Sequence, residues 1–306
     1  MNFWRIGSPV KKFFSFLILW LFSVAFAHAE GVFALGDSHA NSFHQIMEGF
    51  TFVCNCEVEI GHVESSEEQS FFEQMQQSSP VALVAVGMEG LFAALELATD
   101  LPIIYSQVLN PRSFMKNRES TGVVPEFPPK AQLEALLAAL PNIKRLGFVY
   151  DPAYSTSRAE QMREVARSLG ITLVEGRTDN PRKVPKLINE MRDKIDVFWL
   201  TPDQTVVTFE TLEYLALFSM ENQIPTLAFS EKYMDMGIAL GLSADHVDLG
   251  KQIGAIAKKI IRGAKARDIP PEEARKAMLL VNRRIAAKLG LQINNGKVIF
   301  WGEEKP

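Results

Sequence analysis

The chain has 306 residues, 22% of them charged, and a formal net charge of −4. That length is enough for two α/β lobes, each with its own core. The mild acidity, with no run of like charges and no basic stripe interleaved with aromatics, argues against nucleic acid and anionic membrane surfaces as partners.

The first element is a leader. Arg5, Lys11 and Lys12 precede an apolar run from Phe13 to Phe26, and Ala27-His28-Ala29 fits a small-x-small cleavage site. This is the shape of a secretory signal peptide, and the run falls short of the roughly 18 apolar residues a spanning helix wants. Cleavage after Ala29 removes three basic and no acidic residues, so the formal charge goes from −4 to −7. No cysteine precedes Cys54, so no lipid-bearing cysteine opens the mature chain. A soluble periplasmic protein is expected.

Strands and helices then alternate. Gly31–Leu35 reads as a strand and Ala40–Glu48 as a helix, with Phe43, Ile46 and Met47 on one face. A strand over Val53–Ile60, a helix over Glu67–Gln77, a strand over Val81–Val86 and a helix over Met88–Ala98 follow, and Ile103–Gln107 closes the first unit. A connector holds Ser120-Thr-Gly-Val-Val124 and an amphipathic segment from Gln132 to Leu140. The second unit runs through a strand (Arg145–Tyr150), a helix (Ser157–Leu169), a strand (Ile171–Glu175), a helix (Arg182–Asp193), a strand (Val197–Leu200), a helix (Val207–Asn222) and a strand (Thr226–Phe229). Ile238–Leu242, a long helix over His246–Arg262, a strand over Lys276–Asn282 and a short helix over Arg283–Leu289 complete it. Short, continuous, β-branched strands between helices are the mark of parallel sheets covered on both faces. Two such units joined by linkers leave a cleft, a preferred place for a small ligand.

Cys54 and Cys56 are the only cysteines. On an extended strand from Phe50 to Ile60 their Cα atoms would lie roughly 6.6 Å apart, at the long edge of disulfide geometry. Buried thiols, a local disulfide helped by a bulge, and a metal site with His62 all remain open.

Several segments carry a family resemblance. Val81-Ala-Leu-Val-Ala-Val-Gly87, Leu101-Pro-Ile-Ile-Tyr105, Ser120-Thr-Gly-Val123 and Leu146-Gly-Phe-Val-Tyr150 come in order, followed by Ile224-Pro225-Thr226, Gly237-Ile238-Ala239-Leu240 and Asp248-Leu249-Gly250. Leu279-Leu280-Val281-Asn282 with Ala286, Lys288, Leu289 and Gly290 closes the series. Together, from about Pro80 to Ile293, they resemble the ABC-transporter substrate-binding family whose best-known members bind aromatic amino acids. The resemblance implies a type 1 periplasmic-binding fold: two Rossmann-like lobes with parallel sheets, joined by three crossovers, with the ligand between them. The expected division is a leader at 1–29, a first lobe of 30–109 plus 243–272, and a second lobe of 110–242 plus 273–306. Hinges are expected near Leu109–Val123, Leu242–Asp245 and Ile269–Arg275.

Candidate ligand residues are those in loops at strand C-terminal ends, where α/β proteins place ligands. In the first lobe these are Asp37, Ser38 and His39, then Met88 beside Gly87, then Ser106 and Gln107. Asp37 or Ser38 reads equally as a helix cap. In the second lobe, Tyr154, Ser155 and Ser157 lie where a helix opens and suit a carboxylate. Thr201 and Asp203 end the next strand, with Asp203 a partner for an ammonium group, and Ser230 and Glu231 end another. Such a set suits an amino acid or related zwitterion, passed to a permease in the inner membrane. A monomer without cofactor or metal is expected. A sensor that presents its ligand to a membrane receptor would share this fold and pocket.

A rival reading starts from Gly36-Asp37-Ser38, which also opens SGNH-type esterases. Serine needs a histidine base. None of the mature chain's histidines, His39, His44, His62 and His246, follows an aspartate by three residues, and Gly87 leads into Met88-Glu89, with no Gly-x-Asn. A binding protein is therefore the expected class, not an enzyme. Mass spectrometry of the exported protein is expected to show Glu30 as the first residue; an intact Met1 in the membrane fraction would contradict the leader.

Overall fold

In a computed structural model, residues 31–62, 73, 75–97, 100–108, 110–115 and 118–302 are described. The leader, most of the helix expected from Glu67 and the hinge position Leu109 lie outside them. Five strands open the chain: β1 (Val32–Gly36), β2 (Val58–His62), β3 (Ala82–Val86), β4 (Ile103–Ser106) and β5 (Ser120–Val124). With β11 (Glu272–Glu273) they form one six-stranded sheet in the order β11-β5-β4-β3-β1-β2. All its pairings are parallel. β1 and β3 are buried along their whole length, as continuous apolar runs between helices dictate.

The second sheet has seven strands. They are β6 (Arg145–Tyr150), β7 (Thr172–Arg177), β8 (Val197–Trp199), β9 (Thr226–Leu227), β10 (Leu240–Ala244), β12 (Ala277–Val281) and β13 (Val298–Phe300). Their order is β13-β12-β10-β9-β8-β6-β7, and β12 runs antiparallel to β10. That sheet is therefore mixed, where parallel strands alone were expected. Four longer helices matter for the site: α1 (Asn41–Cys54), α2 (Gly87–Glu96), α5 (Pro152–Ser168) and α8 (His246–Ile261). Between them lie α3 (Pro111–Phe114), α4 (Pro129–Ala139), α6 (Val184–Asn189) and α7 (Phe209–Asn222), and α9 (Arg283–Lys288) follows.

Two expectations change. The first sheet does not end at residue 109, because β5 pairs with β4 through Ile103–Ser120 to Ser106–Val123. Gly122 hides this strand in the sequence, yet it is there for contact: a Cβ would run into the Tyr105 carbonyl. The chain thus leaves the first lobe at 125–128, not between 109 and 123. The strand expected from Phe50 is instead the last turn of α1, which buries Phe43, Ile46, Met47, Phe50 and Cys54 on one side. Asn55 stops the helix in the left-handed conformation. This turn draws Cys54 and Cys56 to a Cα separation of 5.3 Å, and they form a disulfide. The free-thiol and metal alternatives fall with it.

The chain crosses between lobes three times, at 125–128, at Asp245 and at 274–276. Between the second and third crossings α8 returns to the first lobe. Its buried stripe of Leu249, Ile253, Ile256, Ala257 and Ile260 follows helical spacing. It meets α1 backbone to backbone: a Cβ on Gly49 would strike the Val247 carbonyl, and one on Gly250 the Ile46 carbonyl. Polar braces tie the crossings. The Arg158 guanidinium donates to Glu273 at 2.9 Å and to the Phe127 carbonyl at 2.8 Å. Arg275 donates to both oxygens of the buried Asp248, at 2.7 and 2.9 Å, and Lys276 lies 3.3 Å away. Burial pushes the Asp248 carboxyl up, but the hydrogen bonds and charges of Arg275 and Lys276 outweigh it and hold the group below its ordinary value. Its stabilising contribution is present at neutral pH and is lost as acid protonates it.

The glycine contact gives a direct test. Gly250→Ala is expected to cost on the order of 1–3 kcal/mol through overpacking against α1, read as a lower denaturant midpoint.

Candidate functional site

A cleft of about 420 Å³ lies where the lobes meet. Ser42 at the start of α1, Gly87 at the start of α2 and Gln107 after β4 line it from the first lobe. Phe229, Ser230 and Glu231 after β9, with Leu280 of β12, line it from the second. Its back wall is the junction itself: Pro125 and Phe127 of the first crossing, Leu242 to Ala244 at the end of β10, and His246 and Leu249 of α8. The walls are thus mostly apolar, with two phenyl rings and a few hydroxyl and amide groups. Glu231 and His246 are the only titratable side chains among the described lining residues, and no Lys or Arg is there. The His246 ring contacts Gln45 of α1 at 3.2 Å. Gly87 (φ 75°) and Gln107 (φ 55°) leave adjacent strands in the left-handed region, which turns both chains outward at the cleft. For Gln107 that conformation is a strained one, of the kind that clusters at binding sites.

Of the residues singled out from sequence, Gln107, Ser230 and Glu231 line this cleft. Ser106 lies just beneath it, fully buried, and its hydroxyl has no hydrogen-bond partner. Met88 is half-buried against the core on the other face of the first sheet. Asp37 accepts the His39 backbone N–H at 3.0 Å and does not cap α1, whose N-cap is Ala40 without a side-chain bond. Ser38 and His39 sit in the same turn, outside the lining.

The second-lobe candidates form a structural knot instead. The cap of α5 is Asp151, which accepts the Ala153 N–H, so the helix begins at Pro152 and not at Ser157. The Ser155 N–H is already bonded to the Asp151 carbonyl at 2.9 Å, so no open cradle of N–H groups exists there. Asp203 is 3% exposed and its carboxylate accepts four bonds. The donors are the Asp151 N–H at 2.9 Å, the Ser155 hydroxyl at 2.6 Å, and the Thr205 and Val206 N–H groups at 2.9 and 3.2 Å. A carboxylate has about four acceptor sites, so none is left over here for a ligand ammonium. The Thr205 hydroxyl returns to Asp151 at 2.6 Å and locks the β6 and β8 loops together. Thr201 is buried, while Tyr154 and Ser157 stand exposed; none of the three lines the cleft.

The lining residues that the loops did not reveal are those of the crossings and α8, together with Ser42 and Leu280. The crossings at Leu242–Asp245 were already legible as a hinge, and a cleft between lobes must have its hinge as its back wall. That reasoning would have found Leu242 and Ser243.

Two lobes, three crossings and a cleft at the strand ends define a binding protein of the type 1 periplasmic class. The backbone resembles the ligand-free, open structure of a substrate binding protein with adhesive properties from Clostridium difficile, at a TM-score of 0.55 and 20% identity, over 90% of this chain and 99% of that one. The family model of ABC transporter substrate binding proteins matches residues 61–299, and the chain belongs to that family. A tyrosine-binding protein of Clostridioides difficile (strain R20291) is 22% identical over 233 residues, 73% of this chain and 67% of the relative. An uncharacterized protein of Rickettsia prowazekii (strain Madrid E) is 19% identical over 284 residues, 90% of this chain and 91% of that one. Members of the family bind small molecules and work with ABC-transporter permeases. The esterase reading built on Ser38 finds no support in these matches.

The Asp203 knot predicts a stability effect without any ligand. Asp203→Ala leaves buried N–H donors unpaired and is expected to cost about 3 kcal/mol, seen as a lower melting temperature of the ligand-free protein. An unchanged melting temperature would free this carboxylate for the ligand.

Proposed function

We propose that this protein is the periplasmic, monomeric solute-binding component of an ABC importer, and that it captures an amino acid by closing its lobes over the cleft. The observation that carries this reading is the composition of the cleft wall. Both lobes and two of the three crossings contribute to it, so a bound solute touches everything that moves when the hinge bends. A volume near 420 Å³ is in the range of small-molecule sites. Phe127, Phe229, Leu242, Leu249 and Leu280 offer an apolar side chain its surroundings. The lack of Lys and Arg disfavours phosphate esters and dicarboxylates, whose second charge would go unpaired. The name of the tyrosine-binding relative points the same way. In this reading the ligand is released unchanged to the permease, and no residue performs chemistry on it.

A thermal-shift screen of the mature chain against the L-amino acids tests it. Ligand at 100 times its dissociation constant adds about 2.7 kcal/mol of stability, so a binder is expected to raise the melting temperature by several degrees. Apolar and aromatic amino acids are expected among the hits. No shift with any amino acid would overturn the reading.

A further inference from the structure

We propose that the ligand enters carboxylate-first into the first lobe, on the start of α2 and the Ser106 hydroxyl, while Glu231 of the second lobe takes its ammonium group. This rests on the amino-acid reading above and gives it a direction.

The first observation is the start of α2, a helix of 10 residues. Its N-cap is Val86, which has no side-chain oxygen to offer, so its first N–H groups have no capping side chain. Such an end carries partial positive charge and binds anions. It faces open space, because a Cβ built on Gly87 meets nothing within 4 Å, and Gly87 lines the cleft.

The second observation is independent of the helix. Ser106 is paired in register with Val86, so the two strand ends lie side by side. Its side chain shares a face with Ile104, two residues back, and Ile104 belongs to the same apolar cluster as Leu249. Leu249 lines the cleft from that side, so the hydroxyl is directed to the cleft face of the sheet end. It is 0% exposed and bonds to no protein atom. A buried hydroxyl without a partner is costly, and native structures keep few of them. A carboxylate seated over the β3 and β4 ends supplies the acceptor it lacks. Thr121 is also unpartnered, but it pairs with Ile104, deeper in the sheet and away from the cleft.

The third observation lies across the cleft. Glu231 is exposed, lines the wall, and has no ion-pair partner among the described residues. The two walls therefore differ in sign. A zwitterion satisfies both and ties the lobes together, whereas an amine or an acid alone satisfies one.

The test uses the mature protein, the variants Ser106→Ala, Glu231→Gln and Thr121→Val, and calorimetry. The probes are L-tyrosine, L-phenylalanine and L-leucine, each with the amine that lacks its carboxylate and the acid that lacks its ammonium. Ser106→Ala is expected to weaken the tightest amino acid about ten-fold, one good hydrogen bond, and to leave its amine analogue unchanged. Glu231→Gln is expected to weaken the amino acid by at least about ten-fold and to spare the acid analogue. Thr121→Val is expected to change neither. The ligand-free melting temperature of Ser106→Ala should hold, since the hydroxyl bonds to nothing in the protein. Unchanged amino-acid affinity in Ser106→Ala and Glu231→Gln would overturn this orientation and leave the amino-acid reading standing. Equal loss for amino acid and amine in Ser106→Ala would reduce Ser106 to packing and also overturn it. If none of the three amino acids binds the wild type, the orientation falls together with the reading.

Discussion

The whole arrangement depends on one contact, the backbone-to-backbone seating of α8 on α1. The chain has already built most of the second lobe when it reaches Asp245, and it must then come back. Gly49 and Gly250 let the returning helix approach until carbonyls touch the positions where side chains would be. That closeness brings Leu249 and His246 to the cleft and places Asp248 under Arg275 and Lys276. A helix held one side-chain layer further out would break the Asp248 pairing and open the back of the cleft.

Much of this was legible in the sequence, and the reasons for the rest are specific. Val81–Val86 and the long helix from His246 are unambiguous because burial on both faces, or on one stripe, leaves a continuous or a periodic apolar pattern. The segment Phe50–Cys54 misleads because Phe50, Phe52 and Cys54 alternate as a strand would, while Phe43, Ile46, Met47, Phe50 and Cys54 also fall on one helical face. Which period wins is decided by the partner, and α8 is the partner. Ser120–Val124 escapes because Thr121 and Gly122 weaken the strand signal, and its neighbour Tyr105 lies beyond an intervening helix.

The site divides in the same way. Strand-end loops correctly led to Gln107, Ser230 and Glu231. They misled at Ser155 and Asp203, where the residue types fit a ligand but the groups satisfy each other across 48 positions. A polar residue's type does not say whether its partner is a solute or another part of the chain. Phe127, Leu242 and Leu280 carry the opposite difficulty: they read as core, and they are core, except that the core is open there.

The back wall of the cleft is also the hinge. Phe127 and Leu242 sit at the crossings about which the lobes would turn, and they face the ligand. Under the proposed closure, fit and motion are therefore not separable properties in this protein. A substitution at Phe127 that reshapes the pocket also changes the fraction of molecules closed without ligand, and apparent affinity scales with that fraction. Relatives that diverge at these positions would be expected to differ in residence time as well as in preference. Selectivity could then drift by altering how long the lobes stay shut, with every polar contact to the solute unchanged.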